Sequence, residues 1–490
     1  MELSKNASFL LKSRYCREGE TIDNLFERVA GALSDGDFKF GTKLENAMKD
    51  MYFLPASPTI RNAGINNALL HPCHVLPISD SISGIMDCLS NSATVFHHGG
   101  GVGFNASSLR PKGDALSLGG TSSGVVSFLK LFNELTEVVK QGGFRRGALM
   151  GVLNHNHPEI APFITSKLTG SLTNFNISIL VDDDFMIKAT MNDKSRIDLT
   201  FDGKHYEAVR ANDLFDMIVF SAHICGDPGL LFFNAINRDN KLYPSIKIEA
   251  TNPCGEVPLP PMMSCNLGSV NLAKLVDKKG NFDFDKYAEY CRLGMRALKN
   301  INKISWYPFD EMTENMREHD ICGLGHFGLA DALIMMGIYY DSMDALKFLD
   351  QLGQLYVQIT DEIGENSFYK RSQAPTGSLS IIADCSSGIE PVFDRNFERH
   401  LTVGVVSETR ELYKSKYCKT AHEVDPVDHL KVQAKIQSFT DAGVSKTINL
   451  SHDATLDDIR RIYIRAWKMG CKGVTIFRDQ SKEGVLRKVK

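Results

Sequence analysis

Residues 251–272 read TNPCGEVPLPPMMSCNLGSVNL. Cys254 stands between Pro253 and Gly255, with Asn252 two residues before it and Glu256 two residues after. Proline fixes φ, and glycine reaches conformations that other residues avoid. The thiol is therefore expected at the tip of a turn rather than inside a helix or strand. Cys265 is the next cysteine, in MSCNLGSVNL. Cys254 then has four readings: a metal ligand, half of a disulfide, a nucleophile, or a lone thiol beside a base.

The rest of the chain weighs on each reading. No C-x-x-C occurs among the 11 cysteines, so the close pairs that grip structural zinc are missing and no metal site is expected. An odd number of cysteines, few for 490 residues, argues against a disulfide scaffold. No His or Lys flanks Cys254, whereas a thiolate nucleophile wants a cation beside it. Glu256 can act as a general base toward a shared ligand, and Asn252 can orient it. The ordinary alternative is a structural cysteine in a turn. Cys73, in LLHPCHVLPISDS (69–81), and Cys265 have apolar neighbours, and burial is expected for both.

Composition sets the wider bounds. Hydrophobic residues are 43% and charged residues 23%, enough to bury a large core. A net charge of −4 gives no bulk case for nucleic acid or membrane binding. No apolar run is long enough to span a bilayer. The opening MELSKNASFLLKSRYCREGE is interrupted by Lys12 and Arg14 and does not read as a signal peptide, so a cytoplasmic protein is expected.

No repeat, low-complexity tract or linker stands out. The expected organisation is a helical lead-in over 1–50 and one catalytic unit over 51–490. VVSFLKLFNELTEVVK (125–140) predicts an amphipathic helix stopped by Gly142 and Gly143. A strand is expected over Ile177–Val181. Thr455 and Asp458 predict a capping box for a helix running to Met469, with GVTIF (473–477) as a strand after it. Alternating strands and helices argue an α/β fold.

Several glycine-rich stretches carry chemistry or only turns. HHGGGVGFN (97–105) lets backbone approach a ligand closely, or forms a surface turn. GLGHFGLAD (323–331) matches G-x-G-x-x-G, but the preceding TENMREHDIC is charged; a tight helix start is expected, not a dinucleotide-binding loop. A nicotinamide-dependent oxidoreductase would rest on those glycines alone. APTGSLS (374–380) suits a phosphate or an ordinary capped helix, and QGGFRRGALMG (141–151) a phosphate clamp or a solvated turn.

In order, FLPASPTIRNAG, HPCHVLPISDSI, GGGVGFNASSLRPKGD, KQGGFRRGALMGVLNHNHPEI, NFNIS, TNPCGEVPL, SCNLGSVNLA, GLGHFGLADAL, APTGSLS and SSGIEPVF resemble the catalytic chain of ribonucleotide reductase, over Arg14 to Leu486. The resemblance implies a ten-stranded α/β barrel of two antiparallel-related half-sheets, with a central finger loop carrying Cys254. It implies that Cys254 forms the thiyl radical that takes the 3′ hydrogen of a ribonucleotide. Glu256 would take the 3′-hydroxyl proton, Asn252 would hold the substrate hydroxyls, and Cys73 with Cys265 would supply the reducing dithiol. Ser57, Thr59, Gly100 and Gly101 match substrate-site positions. Thr376, Gly377, Ser378 and Ser380 match the segment that holds the substrate phosphates. Arg145, Arg146, Lys167 and Asn174 fall on the matches to the specificity loops.

The family divides by radical source. Ile476 and Phe477, in KGVTIFRDQSK (472–482), stand where one branch carries a tyrosine pair fed by a ferritin-like metal subunit. VSKTINL and AWKMGCKGVTIFRD look most like the adenosylcobalamin-dependent branch. Adenosylcobalamin is therefore the expected cofactor, with the separate metal subunit as alternative. Outside the family, the alternative is a nucleotide-binding protein that has lost catalysis, and the intact set of Cys73, Asn252, Cys254, Glu256 and Cys265 argues against it. An N-terminal ATP cone and a C-terminal cysteine pair are expected to be missing, which leaves a thioredoxin-like protein or a small thiol as reductant. Deoxynucleotide effectors and a homodimer or monomer complete the expectations.

Overall fold

Three helices open the chain: Lys5–Arg14, Ile22–Leu33 and Phe38–Lys49. Each starts at a side-chain cap, with Ser4, Thr21 and Asp37 accepting from the backbone N–H of Ala7, Asn24 and Phe40. Such caps satisfy donors that the first helical turn leaves unpaired. The computed structural model describes residues 3–141, 145–191, 194–481 and 486–488, with backbone alone at 140–141 and 145–146. Ten strands organise the chain beyond these helices: β1 (Phe53–Pro55), β2 (Cys73–Val75), β3 (Gly101–Asn105), β4 (Leu149–Asn154), β5 (Phe175–Val181), β6 (Gly229–Phe232), β7 (Met263–Asn271), β8 (Cys322–Phe327), β9 (Thr447–Leu450) and β10 (Gly473–Arg478). Their number matches the expectation, and the class is mixed α/β.

The chain forms two compact units. One comprises Met1–Cys73, Ser264–Lys446 and Gly484–Lys490. Here β1 runs antiparallel to β7, with Phe53 opposite Val270, and β7 runs parallel to β8, with Asn266 opposite Cys322. Every residue of β7 is buried. A strand covered on both faces need not alternate apolar with polar, which is why MSCNLGSVN carries no period-two pattern. Helices Phe284–Ile304 and Met343–Ile363 pack together, and the first also packs on β8. The core here includes Phe26, Phe53, Leu298 and Tyr356.

The other unit comprises His74–Met263 and Thr447–Glu483. Strands β3, β4, β5 and β6 run parallel in that order. β10 joins β6 antiparallel, with Leu230 opposite Val474, and β9 joins β10 parallel, with Ile448 opposite Ile476. Helix Val125–Val138 stops two residues short of the expected end, and β5 starts two residues earlier than expected. Thr455 and Asp458 form the expected capping box on helix Leu456–Lys468, and β10 follows as predicted.

One expectation is corrected. GLGHFG is not a tight helix start but lies mostly in β8; the helix, Leu329–Met335, begins only after Gly328 at φ +76°. The charged residues before it form their own helix, Asp310–His319. Two of the glycines answer to packing. A Cβ at Gly323 would lie 2.4 Å from Leu267 Cδ2, and one at Gly325 would lie 2.3 Å from Ser372 O. No helix among the described residues is long and apolar enough to cross a membrane.

Candidate active site

TNPCGE forms the loop of a short hairpin in the second unit. Ala250–Thr251 pairs antiparallel with Pro258–Leu259, with Thr251 opposite Pro258. Asn252 closes the loop from both sides: its Oδ1 accepts from Val257 N–H at 3.0 Å and its carbonyl from Gly255 N–H at 3.1 Å. Gly255 sits at φ +83°, in the left-handed region that only glycine enters without strain. The result is the expected turn. Cys254 is exposed at the tip, while Asn252 and Glu256 are buried beside it.

Neighbouring strands hold this hairpin by close backbone approach. Asn176 on β5 donates to Pro253 O at 2.8 Å. A Cβ at Gly101 would lie 2.9 Å from Pro253 Cγ, and one at Gly103 would lie 1.7 Å from Thr251 O. Both glycines come from the HHGGGVGFN stretch, and there they let the hairpin seat against β3. Gly100 packs against His74, with a Cβ there 2.7 Å from the ring Cε1. Burial pushes His74 down to about 4, so the ring is neutral at pH 7.

Of the specificity-loop residues, Lys167 donates to Asp227 at 2.9 Å, and Asn174 N–H donates to Asn133 Oδ1 at 2.9 Å. The side chains of Arg145 and Arg146 lie outside the described residues; their backbone pairs with Lys140 and Gln141. A separate polar cavity of about 830 Å³ opens beyond the ends of β3 and β4. Its walls include Asp80, Arg110, Asp114, Asn154, Lys204 and Tyr206, and Arg110 pairs with Asp80 at 2.7 Å. Asp80 and Arg110 are 30 positions apart, and neither has a local pattern that marks it as lining a site.

In the first unit Cys73 and Cys265, 192 positions apart (73 to 265), lie on neighbouring strands. Cys73 opens β2, and β2 is a hydrogen-bonded neighbour of β7, which carries Cys265. Both side chains are buried thiols. His71 ties the two segments together: its Nδ1 meets Ser264 Oγ at 2.9 Å and its Nε2 meets Tyr307 OH at 3.2 Å. His71 lies two residues before Cys73, but only the tertiary pairing marks it as part of the site.

The predicted phosphate segment lies in the same unit. Thr376 has φ +50°, unusual for a β-branched residue and unfavourable by roughly 1–3 kcal/mol. It precedes helix Gly377–Ile382. The SSGIEPVF segment holds it in place: Gly388 N–H donates to Thr376 Oγ1 at 2.7 Å, and Ser387 and Ser380 share a hydroxyl hydrogen bond of 2.8 Å. Arg399, paired with Glu408, donates to Ser387 Oγ at 2.9 Å and to Gly377 O at 3.3 Å. Behind them, the fully buried Lys446 donates to Glu390 at 2.6 Å and to His429 Nδ1 at 2.9 Å. Burial and the adjacent ammonium hold His429 well below the usual imidazole range. Ser57 Oγ shares a 2.8 Å hydrogen bond with Tyr15, whereas the buried Thr59 donates to Leu70 O at 2.9 Å. Neither Lys446 nor Arg399 carried a signal in the sequence, because their partners lie 56 and 9 residues away.

Comparison with known proteins gives a consistent result. The barrel-domain family model of ribonucleotide reductase matches residues 72–362 and 405–477, and its all-alpha-domain model matches residues 1–68. The vitamin B12-dependent ribonucleoside-diphosphate reductase of Thermoplasma acidophilum is 38% identical over 96% of this chain and 69% of its own length. The protein of the same name from Mycobacterium tuberculosis is 36% identical over 99% of this chain and 80% of its own. Among solved structures, the class Id ribonucleotide reductase alpha subunit of Actinobacillus ureae superposes with a TM-score of 0.80 at 20% identity, covering 98% of this chain and 97% of that one.

Proposed function

The chain belongs to the ribonucleotide reductase family, and we propose that it reduces ribonucleotides to 2′-deoxyribonucleotides with adenosylcobalamin as radical source. The single observation that carries the site assignment is Cys254, exposed at a hairpin tip between buried Asn252 and Glu256. Cys254, as a thiyl radical, takes the 3′ hydrogen atom of the ribose. Glu256 accepts the 3′-hydroxyl proton, and Asn252 orients the sugar hydroxyls. The 2′-hydroxyl leaves as water, taking a proton from the Cys73 and Cys265 pair. The same pair supplies two electrons and the hydrogen for C2′, and ends as a disulfide. Cys254 returns its hydrogen atom to C3′, and Glu256 returns the proton to the 3′ oxygen. The balance is ribonucleotide plus dithiol giving deoxyribonucleotide, disulfide and water.

The residues fit the cofactor. An exposed thiol can exchange a hydrogen atom with a group outside the chain, while Ile476 is buried and aliphatic and offers no redox relay. Adenosylcobalamin supplies a carbon-centred radical when bound. The names of the relatives support a diphosphate substrate. A thioredoxin-like protein or a small thiol reduces the Cys73–Cys265 disulfide after each turnover.

Two surfaces of the second unit support finer readings. The cavity beside Asp80 and Arg110 has the size and polarity to take a deoxynucleotide effector. Helices Ile82–His97 and Val125–Val138 pack together and expose Ile82, Met86, Leu131 and Val138, which supports a homodimer over a monomer. The decisive assay is turnover of the four ribonucleoside diphosphates with adenosylcobalamin and dithiothreitol and no second protein. Deoxynucleotide formation is expected. No product, with activity restored by a metal-containing radical subunit, overturns the cobalamin assignment.

A further inference from the structure

The N-terminal helix reaches the phosphate segment. Arg14, its last residue, donates from Nη1 to Ser378 Oγ at 3.2 Å. Beside it, Tyr15 holds Ser57 Oγ at 2.8 Å. Ser57 and Arg61 lie four residues apart on helix Ser57–Asn62 and so share one face. Arg14 thus meets Ser378, Tyr15 meets Ser57, and Arg61 shares the helix face of Ser57 and feels the charge of Arg14.

Both arginines are half-buried. Arg61 is held below the usual guanidinium range, first by burial and then by the positive charge of Arg14. A partly desolvated place with two guanidiniums suits an anion, since the opposite charge favours the charged form of each. Guanidinium groups match phosphate oxygens bidentately, and serine hydroxyls donate to the same oxygens. A terminal phosphate carries a charge of about −2, which two guanidiniums neutralise.

We propose that Arg14 and Arg61 bind the outermost phosphate of a ribonucleoside diphosphate, beside Ser57 and Ser378, and thereby select for diphosphate over monophosphate. This rests on Thr376–Ser380 being the phosphate segment. The arginines are binding residues for the substrate tail and take no part in the radical steps.

The test is calorimetric titration of the full chain with ADP and AMP, which needs no radical cofactor. Arg14→Gln and Arg61→Gln are each expected to weaken ADP binding about tenfold or more, the usual consequence of losing a charge-assisted hydrogen bond. AMP binding is expected to stay within about twofold, because the lost contact is to the outer phosphate alone. Arg14→Lys keeps the charge and should recover part of the loss, which separates a charge effect from a folding defect. If the unaltered chain binds ADP and both Gln variants bind it equally well, or if they lose AMP to the same degree, the inference is overturned. If the unaltered chain binds neither nucleotide, the assignment of Thr376–Ser380 itself fails.

Discussion

Gly103→Ala isolates the seating of the Cys254 hairpin. Gly103 lies within β3 and has no left-handed backbone requirement, so alanine is conformationally acceptable there. Its Cβ, however, would fall 1.7 Å from Thr251 O, and such contacts are essentially never shorter than 3.0 Å. Strand and hairpin must then separate by about 1.3 Å, the difference between those two distances. Thr251 is backbone in a paired strand, so no flexible side chain can yield instead. Overpacking of this kind destabilises by about 1–3 kcal/mol. Displacing a reacting group by about 1 Å lowers the rate by on the order of 100-fold. The assay is cobalamin-supported turnover at saturating substrate, alongside thermal unfolding of the same samples. The control is Gly31→Ala, also on an ordinary backbone but with nothing within 4 Å of the new Cβ. It lies in helix Ile22–Leu33 and should gain stability of about 0.5–1 kcal/mol at full activity. A Gly103→Ala enzyme with kcat within threefold of the parent and an unchanged unfolding midpoint would refute the close approach of β3 and the hairpin.

Three other outcomes are expected. Cys254→Ala should abolish turnover and leave unfolding unchanged, since the thiol is exposed; residual turnover would remove it from the radical role. Glu390→Gln leaves the buried Lys446 ammonium without its carboxylate partner and should cost about 3 kcal/mol at pH 7 in denaturant unfolding. Burial already lowers the Lys446 pKa, so deprotonation at higher pH relieves the penalty, and the loss should shrink by pH 9.5; an equal loss at both pH values would exclude the charge as its cause. Burial pushes both His74 and His326 down to about 4 from an ordinary 6.5. A depressed folded value means stability that is full above pH 6.5 and lost as pH falls toward 4, on the order of 3 kcal/mol for each ring. His326→Gln should reduce the slope of stability against pH in that window by one proton, and an unchanged slope would show that the ring is not buried in its neutral form.

The chemistry of this protein was legible where it depends on neighbours in the chain. Pro253, Gly255 and the Asn252 side chain build a turn from contacts within six residues, so TNPCGE announced a thiol at a turn tip, and the fold left it exposed. The Thr455 capping box was readable for the same reason. GLGHFG misled because its glycines answer to Leu267 and Ser372, which local pattern cannot see.

Sequence by itself determined the set of candidate reactive residues and the order of their motifs. Tertiary structure alone decided which distant groups lie side by side. It placed Cys73 on the strand beside Cys265, let His71 bridge their two segments, and brought Arg14 from the first helix onto Ser378. It also tied the buried Lys446 to the SSGIEPVF segment through Glu390. Turns and caps are fixed by hydrogen bonds closed over a few residues, whereas these contacts depend on strand pairing and burial between segments tens to hundreds of residues apart.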